Sequence, residues 1–304
     1  MIVNSNSAPA GLWPGTKAFF DGLQKDYEYQ WKKLYEVLSS NRKYEEVVSM
    51  YSPGLPTRKD ESAPITYDDW SQGLTTRFTH ATWALGIPLT REAIKDYKEN
   101  LGNIMDMSVK KIHKSHAEFD ERFHFDLINN GFNSLSIPEG GDGKPLFAND
   151  HIIKGGVSSN VLPSAEFSRQ AYQNAIIQMK NIPGETITYF AGLKSTKLLV
   201  PDDIEYEVRQ VMGSPYEPET ANNAINPIYG RESKIEVVAS QYLTSDNAWF
   251  IKTDAEEGLM HFEREPLNVQ MTNDFDTTNT KIGSYHRYSA DFGNWRTMLG
   301  NEGI

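Results

Sequence analysis

GLTTRFTHATWALGIPLTREAI, residues 73–94, sets two periodicities back to back, and the architecture follows from that junction. From Leu74 to Leu85 the Thr, Phe, Trp and Leu residues approach alternation, the mark of a half-buried strand. Thr90 then offers an N-cap hydroxyl, and Glu92 and Ala93 open a helix. Ile94, Tyr97, Leu101, Met105, Ile112, Phe119, Phe123 and Leu127 carry an apolar stripe onward. A helix from Arg91 to Asn129 is therefore expected, about 60 Å long at ~1.5 Å per residue. Gly102 weakens its middle and marks a bend, and Asn130-Gly131 ends it with a left-handed cap.

Upstream, Tyr44–Leu55 is also β-leaning. The stretch between, Pro56 to Asp69, holds Pro56, Pro64 and the run Arg58–Ser62. This predicts a long two-stranded ribbon over 44–89 with an exposed tip, and an isolated ribbon needs a partner surface. From Lys17 to about Ser39, Phe19, Phe20, Leu23, Tyr27, Trp31, Leu34, Tyr35 and Leu38 recur at intervals of three and four, predicting an amphipathic helix. Residues 1–16, with Pro9, Gly11, Pro14 and Gly15, read as a loose arm. They show neither a basic cluster nor an apolar signal core, so a cytosolic product is expected.

Downstream of the loop 133–145, a helix is expected over Ser164–Lys180, a buried strand at Leu198–Pro201 and a helix over Asp202–Met212 with an acidic first turn. Gly213–Gly230 is turn-rich. Strand signals follow at Ile235–Leu243, Ala248–Thr253, Leu259–Glu263, Leu267–Met271 and Lys281–Ala290. Helices early and in the middle, with strands late, give an α+β fold.

Composition narrows the function. The 304 residues suffice for one large domain or two ordinary ones. A hydrophobic share of 38% excludes wholesale disorder, and no run approaches the ~18 apolar residues of a membrane span. Cysteine is absent, which removes disulfide scaffolds, thiolate metal sites and cysteine nucleophiles together. Thirty Lys and Arg against 41 Asp and Glu give −11, the wrong sign for a protein that grips phosphates. Aromatics make up 12%, many beside turn residues, which suits surfaces later buried against another molecule.

The strongest chemical candidate is His113, His116, Asp120 and His124 on the long helix, spaced three, four and four apart on one face. Such a face suits zinc or non-haem iron in a metal-dependent enzyme. However, His116 to His124 spans about 12 Å of helix axis, too far for one ion. Lys110, Lys111, Lys114, Glu118, Glu121 and Arg122 crowd the segment, so the expectation is a solvated mixed-charge face without metal. Gly140–Pro145 lacks the Ser or Thr and the flanking elements of a phosphate loop and reads as a turn. Asp274, Asp276 and Asn279 lack the Gly and Glu of a calcium loop. Asp150-His151 lies in a loop with no nucleophile oriented toward it. No catalytic, metal or cofactor site is expected.

What remains is shape: an arm, a ribbon, a rod-like helix and a late sheet, each exposing more surface than it buries alone. This is the profile of a subunit completed by its neighbours. Several strings sharpen it. Residues 247–266 read NAWFIKTDAEEGLMHFEREP, and NDFDTTNTKIGSYHRYSADFGNWRTMLG follows at 273–300. KLLVP occupies 197–201, NNAINPIYG 222–230, GDGKPLFANDH 141–151 and APITYDDWSQGLTTRFTHATWALGIPLTREAI 63–94. In this order and spacing, from about residue 12 to residue 300, they closely resemble the major capsid proteins of tailed bacteriophages, in the phage Mu-like head-subunit group.

The resemblance implies the Hong Kong ninety-seven-type capsid fold. Residues 1–43 would form the N-terminal arm, 44–89 the extended E-loop ribbon, and 90–135 the peripheral domain with its spine helix. Residues 136–243 would form the axial domain, 244–290 return to peripheral strands, and 291–304 re-enter the axial domain. It further implies self-assembly as pentamers and hexamers into an icosahedral head, in the virion and in host cytoplasm during assembly. The head would enclose double-stranded DNA without sequence-specific binding and without a membrane. A separate scaffolding protein and a portal are expected partners, with a decoration protein as an optional one. Trp70, Phe78 and Trp83 are the candidate intersubunit anchors, and Arg77 and Arg91 the candidate partners for acidic neighbours. The rival with the same fold is an encapsulin-like compartment shell.

Overall fold

The computed structural model describes residues 8–62, 64–96, 101–133, 140–216, 225–229, 235–274 and 279–303. The chain opens with helix α1 (Ala8–Asp26). A tight helical turn at Trp31–Lys33 leads to strands β1 (Glu36–Ser39), β2 (Tyr44–Tyr51), β3 (Ser71–Thr79) and β4 (Ala81–Leu89). Helices α2 (Arg91–Asp96) and α3 (Leu101–Asn129) follow. Then come the hairpin β5 (His151–Ile153) and β6 (Gly156–Ser158), α4 (Arg169–Lys180), β7 (Ser195–Val200) and α5 (Glu205–Gly213). The last strands are β8 (Glu236–Ala239), β9 (Trp249–Thr253), β10 (Leu259–Asn273), β11 (Thr280–Phe292) and β12 (Met298–Asn301).

Two four-stranded sheets organise these elements. Sheet one runs β1-β10-β11-β4 and sheet two β12-β9-β7-β8, while β2-β3 forms a separate ribbon. Sheet one turns one face to α3: Met105, Val109 and Ile112 meet Leu267, Val269 and Ile282, and Phe20 of α1 closes the cluster. Sheet two is covered on both faces, so its strands are apolar without alternation. Trp249 meets Phe167 edge-on, while the next residue, Phe250, stacks on Phe147 at 5.3 Å. Phe125 and Ile128, in the last turns of α3, join this second core, so one helix braces both sheets.

Five expectations change. The helix predicted over 17–39 ends at Asp26, because the Glu121 carboxylate of α3 accepts the backbone N–H groups of Gln30 (2.6 Å) and Trp31 (3.1 Å) and fixes a turn there. Residues 8–16, expected as a loose arm, belong to α1 despite Pro14, which forfeits one helical hydrogen bond. The ribbon stops at Thr79; β4 departs to pair with β11 along its whole length. The helix expected from Ser164 starts at Arg169, where the Ser168 hydroxyl caps Ala171 N–H. Leu259–Glu263 and Leu267–Met271 are one strand, with register shifts on either side of Glu265 that let Pro266 sit without donating.

Residues 97–100, and with them Tyr97 and the approach to the expected bend at Gly102, lie outside the described residues. Gly131 closes α3 without a left-handed backbone. Its requirement is space, since a Cβ there would meet the Phe147 ring at 2.7 Å.

Candidate functional site

The ribbon carries exposed apolar surface at its tip. Past the end of β2 and before β3, Leu55, Ile65, Tyr67 and Trp70 project with 61–88% of their surface exposed. Asp68 pins this tip by accepting Gly54 N–H at 2.7 Å, and these backbone hydrogen bonds hold its carboxyl below the usual range. Nearer the body, Ser52 donates both its N–H (2.9 Å) and its hydroxyl (2.6 Å) to Glu185. A groove of about 270 Å³, lined among others by Met50, Ile152 and Glu257, separates β2 from the β5-β6 hairpin.

The five expected contact residues divide. Trp70 stands at the exposed tip. Arg77 lies on the ribbon's outer face, donating twice to Glu46 (2.9 and 2.6 Å) and covering the Tyr44 ring at 4.4 Å. Phe78, by contrast, is 1% exposed and packs edge-on against Phe262 at 5.0 Å, so its ring is committed to its own chain. Trp83 sits on β4 rather than the ribbon and packs on Phe119 (4.6 Å), Phe123 and Tyr288. Both rings make contacts within their own chain, Phe78 with Phe262 of sheet one and Trp83 with α3 and β11, and Trp83 keeps part of its surface exposed. Arg91 opens α2, partly buried, with its Nε lacking a hydrogen-bond partner.

The histidine face is also corrected. His113, His116, Asp120 and His124 are buried at 1–6% exposure, the last three turned toward sheet one and His113 toward Phe20 and Tyr27. Lys110, Lys111, Lys114 and Arg122 share the segment but occupy the outer face, as i to i+4 spacing from 110, 114, 118 and 122 requires. His124 Nδ1 donates to Asp120 O (2.6 Å), and its Nε2 faces His261 Nδ1 at 2.9 Å. Tyr288 donates its hydroxyl to Asp120 Oδ1 at 2.8 Å. Among the described residues no three His, Asp or Glu side chains converge as metal ligands. Burial pushes His116 down to about 4 and His124 down to about 3, and raises Asp120 to about 6.

The remaining motifs resolve into structure. Gly140–Pro145 is a turn whose Asp142 accepts from the buried His151 ring at 2.7 Å, and that ring lies flat on Trp295 at 4.5 Å. Asp150 pairs with Lys144 instead. Asp274 pairs with Lys281 at the β10-β11 turn, and Asp276 lies outside the described residues. One buried polar centre escaped the sequence reading: Asn160, whose amide reaches the carbonyls of Leu146, Trp295 and Met298 and whose Oδ1 accepts Ala148 N–H. A lone Asn between loops carries no periodic signal.

Two sheets braced by one helix, with a ribbon projecting an apolar tip, define a structural subunit that buries surface against further molecules. Residues 73–301 match the family described as "Phage capsid protein", and the chain belongs to that family. It is a structural protein of the capsid shell with the α+β Hong Kong ninety-seven-type fold. Solved structures agree on the fold. That of Microbacterium phage Oxtober96 aligns at TM-score 0.52 and 11% identity, over 91% of this chain and 92% of that one. The capsid of Myoviridae phage XM1 aligns at 0.51 and 12%, over 88% and 90%. The holo-SrpI encapsulin complex of Synechococcus elongatus PCC 7942 aligns at 0.54 and 8%, over 91% and 88%. No curated protein matches the sequence. No helix among the described residues is long and apolar enough to cross a membrane.

Proposed function

We propose that this chain builds the pentamers and hexamers of the icosahedral head of a tailed double-stranded DNA phage of the Mu-like group, without catalysing any reaction. The observation that carries the reading is the ribbon tip, where Leu55, Ile65, Tyr67 and Trp70 face solvent together. In this reading the ribbon within 44–89 overlaps the next subunit, with Trp70 and Arg77 as its contacts and Arg91, past the far end of β4, as a further one. Residues 1–43 form the arm, and α3 is the spine of the peripheral domain (90–135 and 244–290). Residues 136–243 and 291–304 form the axial domain around the symmetry axes. Many shallow contacts of this kind become strong together through multivalency.

The net charge of −11 suits a shell that encloses DNA without gripping it. A separate scaffolding protein and a portal act during assembly in the host cytoplasm, with a decoration protein as an optional addition to the virion. Negative-stain microscopy with light scattering on the purified protein, alone and with a co-expressed scaffold, tests the proposal. Closed shells or rings of five and six support it. A monomer in both samples overturns it, and shells that co-purify with an enzyme cargo instead of DNA point to the encapsulin-like alternative.

A further inference from the structure

Between α3 and sheet one lies a layer of imidazoles that shell building leaves unexplained. The Asp120 carbonyl can only accept, so His124 Nδ1, 2.6 Å away, carries the hydrogen. Its Nε2 is then bare in the neutral ring, and the 2.9 Å contact with His261 Nδ1 has His261 as donor. With both rings neutral, each carries its hydrogen on Nδ1, and their bond ties α3 to β10. His116 Nε2 lies 2.7 Å from Ser284 Oγ, whose own hydrogen goes to the Leu85 carbonyl, so His116 donates and ties α3 to β11. Trp31 stacks flat on His124 at 3.9 Å and sheds water from the pair.

We propose that this layer is a proton-operated latch, in which proton uptake by His116, His124 and His261 releases α3 from sheet one. One proton on the His124–His261 pair leaves the hydrogen bond intact but buries a charge. A second sets N–H against N–H and removes the bond. The surroundings are mixed. Asp120, Glu121 and His113 face the layer from α3, Glu263 from β10, His286 and Tyr288 from β11, and Tyr29, Lys32 and Tyr35 from the turn after α1. Asp120 Oδ2 and Glu263 Oε1 each lie 3.8 Å from a His286 nitrogen, beyond hydrogen-bond reach. Glu263 favours a cation on His261, while Lys32 and His286 oppose it. Burial outweighs them all and pushes His261 down to about 2.

Protons therefore enter as the layer opens. On opening, three imidazoles return toward their ordinary value of 6.5 and bind protons below it, while Asp120 returns toward 3.8 and releases one. The net uptake is about two protons between roughly pH 6 and 4, so the open population rises ~100-fold per pH unit.

Hydrogen–deuterium exchange on the purified chain from pH 7 to 4.5, corrected for the intrinsic exchange rate, reads this directly. Peptides spanning 116–128 are expected to lose protection ~100-fold per pH unit below pH 6, ahead of β7 and β9. His261→Gln keeps a donor for His124 but cannot titrate, and it lowers the dependence to ~10-fold per unit. An unchanged dependence in this variant overturns the latch, as does loss of protection in β7 and β9 with the same profile as α3. Should His261→Gln fail to fold at pH 7, nitrogen NMR of histidine-labelled wild type provides the second test. Neutral Nδ1–H rings at His124 and His261 at pH 6 support the latch, and a charged ring or an Nε2–H tautomer at either position overturns it.

Discussion

Asn160 is fully buried and bonds four backbone groups: Leu146 and Ala148 in the loop before β5, Trp295 in the turn before β12 and Met298 at its start. Truncation removes four bonds inside the core and leaves the Ala148 N–H without its partner, so Asn160→Ala should cost about 2–4 kcal/mol, measured by denaturant unfolding. Glu121 works similarly across the chain. Glu121→Ala leaves the Gln30 and Trp31 N–H groups unpaired and should cost about 1–3 kcal/mol, with loss of protection in residues 27–35. Trp83→Ala removes a ring packed on Phe119, Phe123 and Tyr288, and about 2–4 kcal/mol of fold stability is expected to go with it. The sequence made Trp83 a candidate anchor, but a local pattern carries no information on which molecule supplies the facing wall.

At the scale of elements, the junction at 73–94 read correctly as strand followed by helix, and the break within the strand did not. β3 and β4 part at His80, whose buried ring bonds Ser40 Oγ (3.0 Å) and Ser289 Oγ (2.9 Å). Those serines lie 40 and 209 residues away in sequence, so no local pattern announces them. The ring fastens both roots of the ribbon to sheet one. His80→Ala should therefore raise hydrogen exchange across β2 and β3 while leaving β7 and β9 unchanged. Loss of protection in all four strands alike would show that the ring supports the whole body instead. The parallel pairing of β1 with β10 was equally hidden, since four residues of mixed burial carry no β signature of their own.

For the whole molecule, stability should fall on both sides of neutral pH. Burial raises Asp291 to about 8, so the native state holds a proton that the unfolded chain, near 3.8, does not. Stability attached to that group is present in acid and lost as pH rises through about 8, by up to ~1.4 kcal/mol per unit. Asp291→Asn should flatten the alkaline limb of a melting-temperature profile. The acid limb has the opposite sign: His116, His124 and His261 are depressed, so stability declines as pH falls below 6.5 toward their buried values. Trp70, 64% exposed at the tip, tests assembly apart from folding. Trp70→Ala should leave the melting temperature within about 2 °C and reduce shell yield in light scattering, because an exposed ring contributes little to its own fold. The amino-acid sequence alone established the α+β order, the ribbon with its exposed tip, the helical rod and the shell-protein resemblance, since each rests on local periodicity or on strings in fixed order. Whether the imidazoles face water or a sheet, where the first helix stops and which aromatics stay at home were settled by folding. Those outcomes depend on partners such as Glu121 and Trp31, 90 residues apart, whose meeting is a matter of packing in three dimensions.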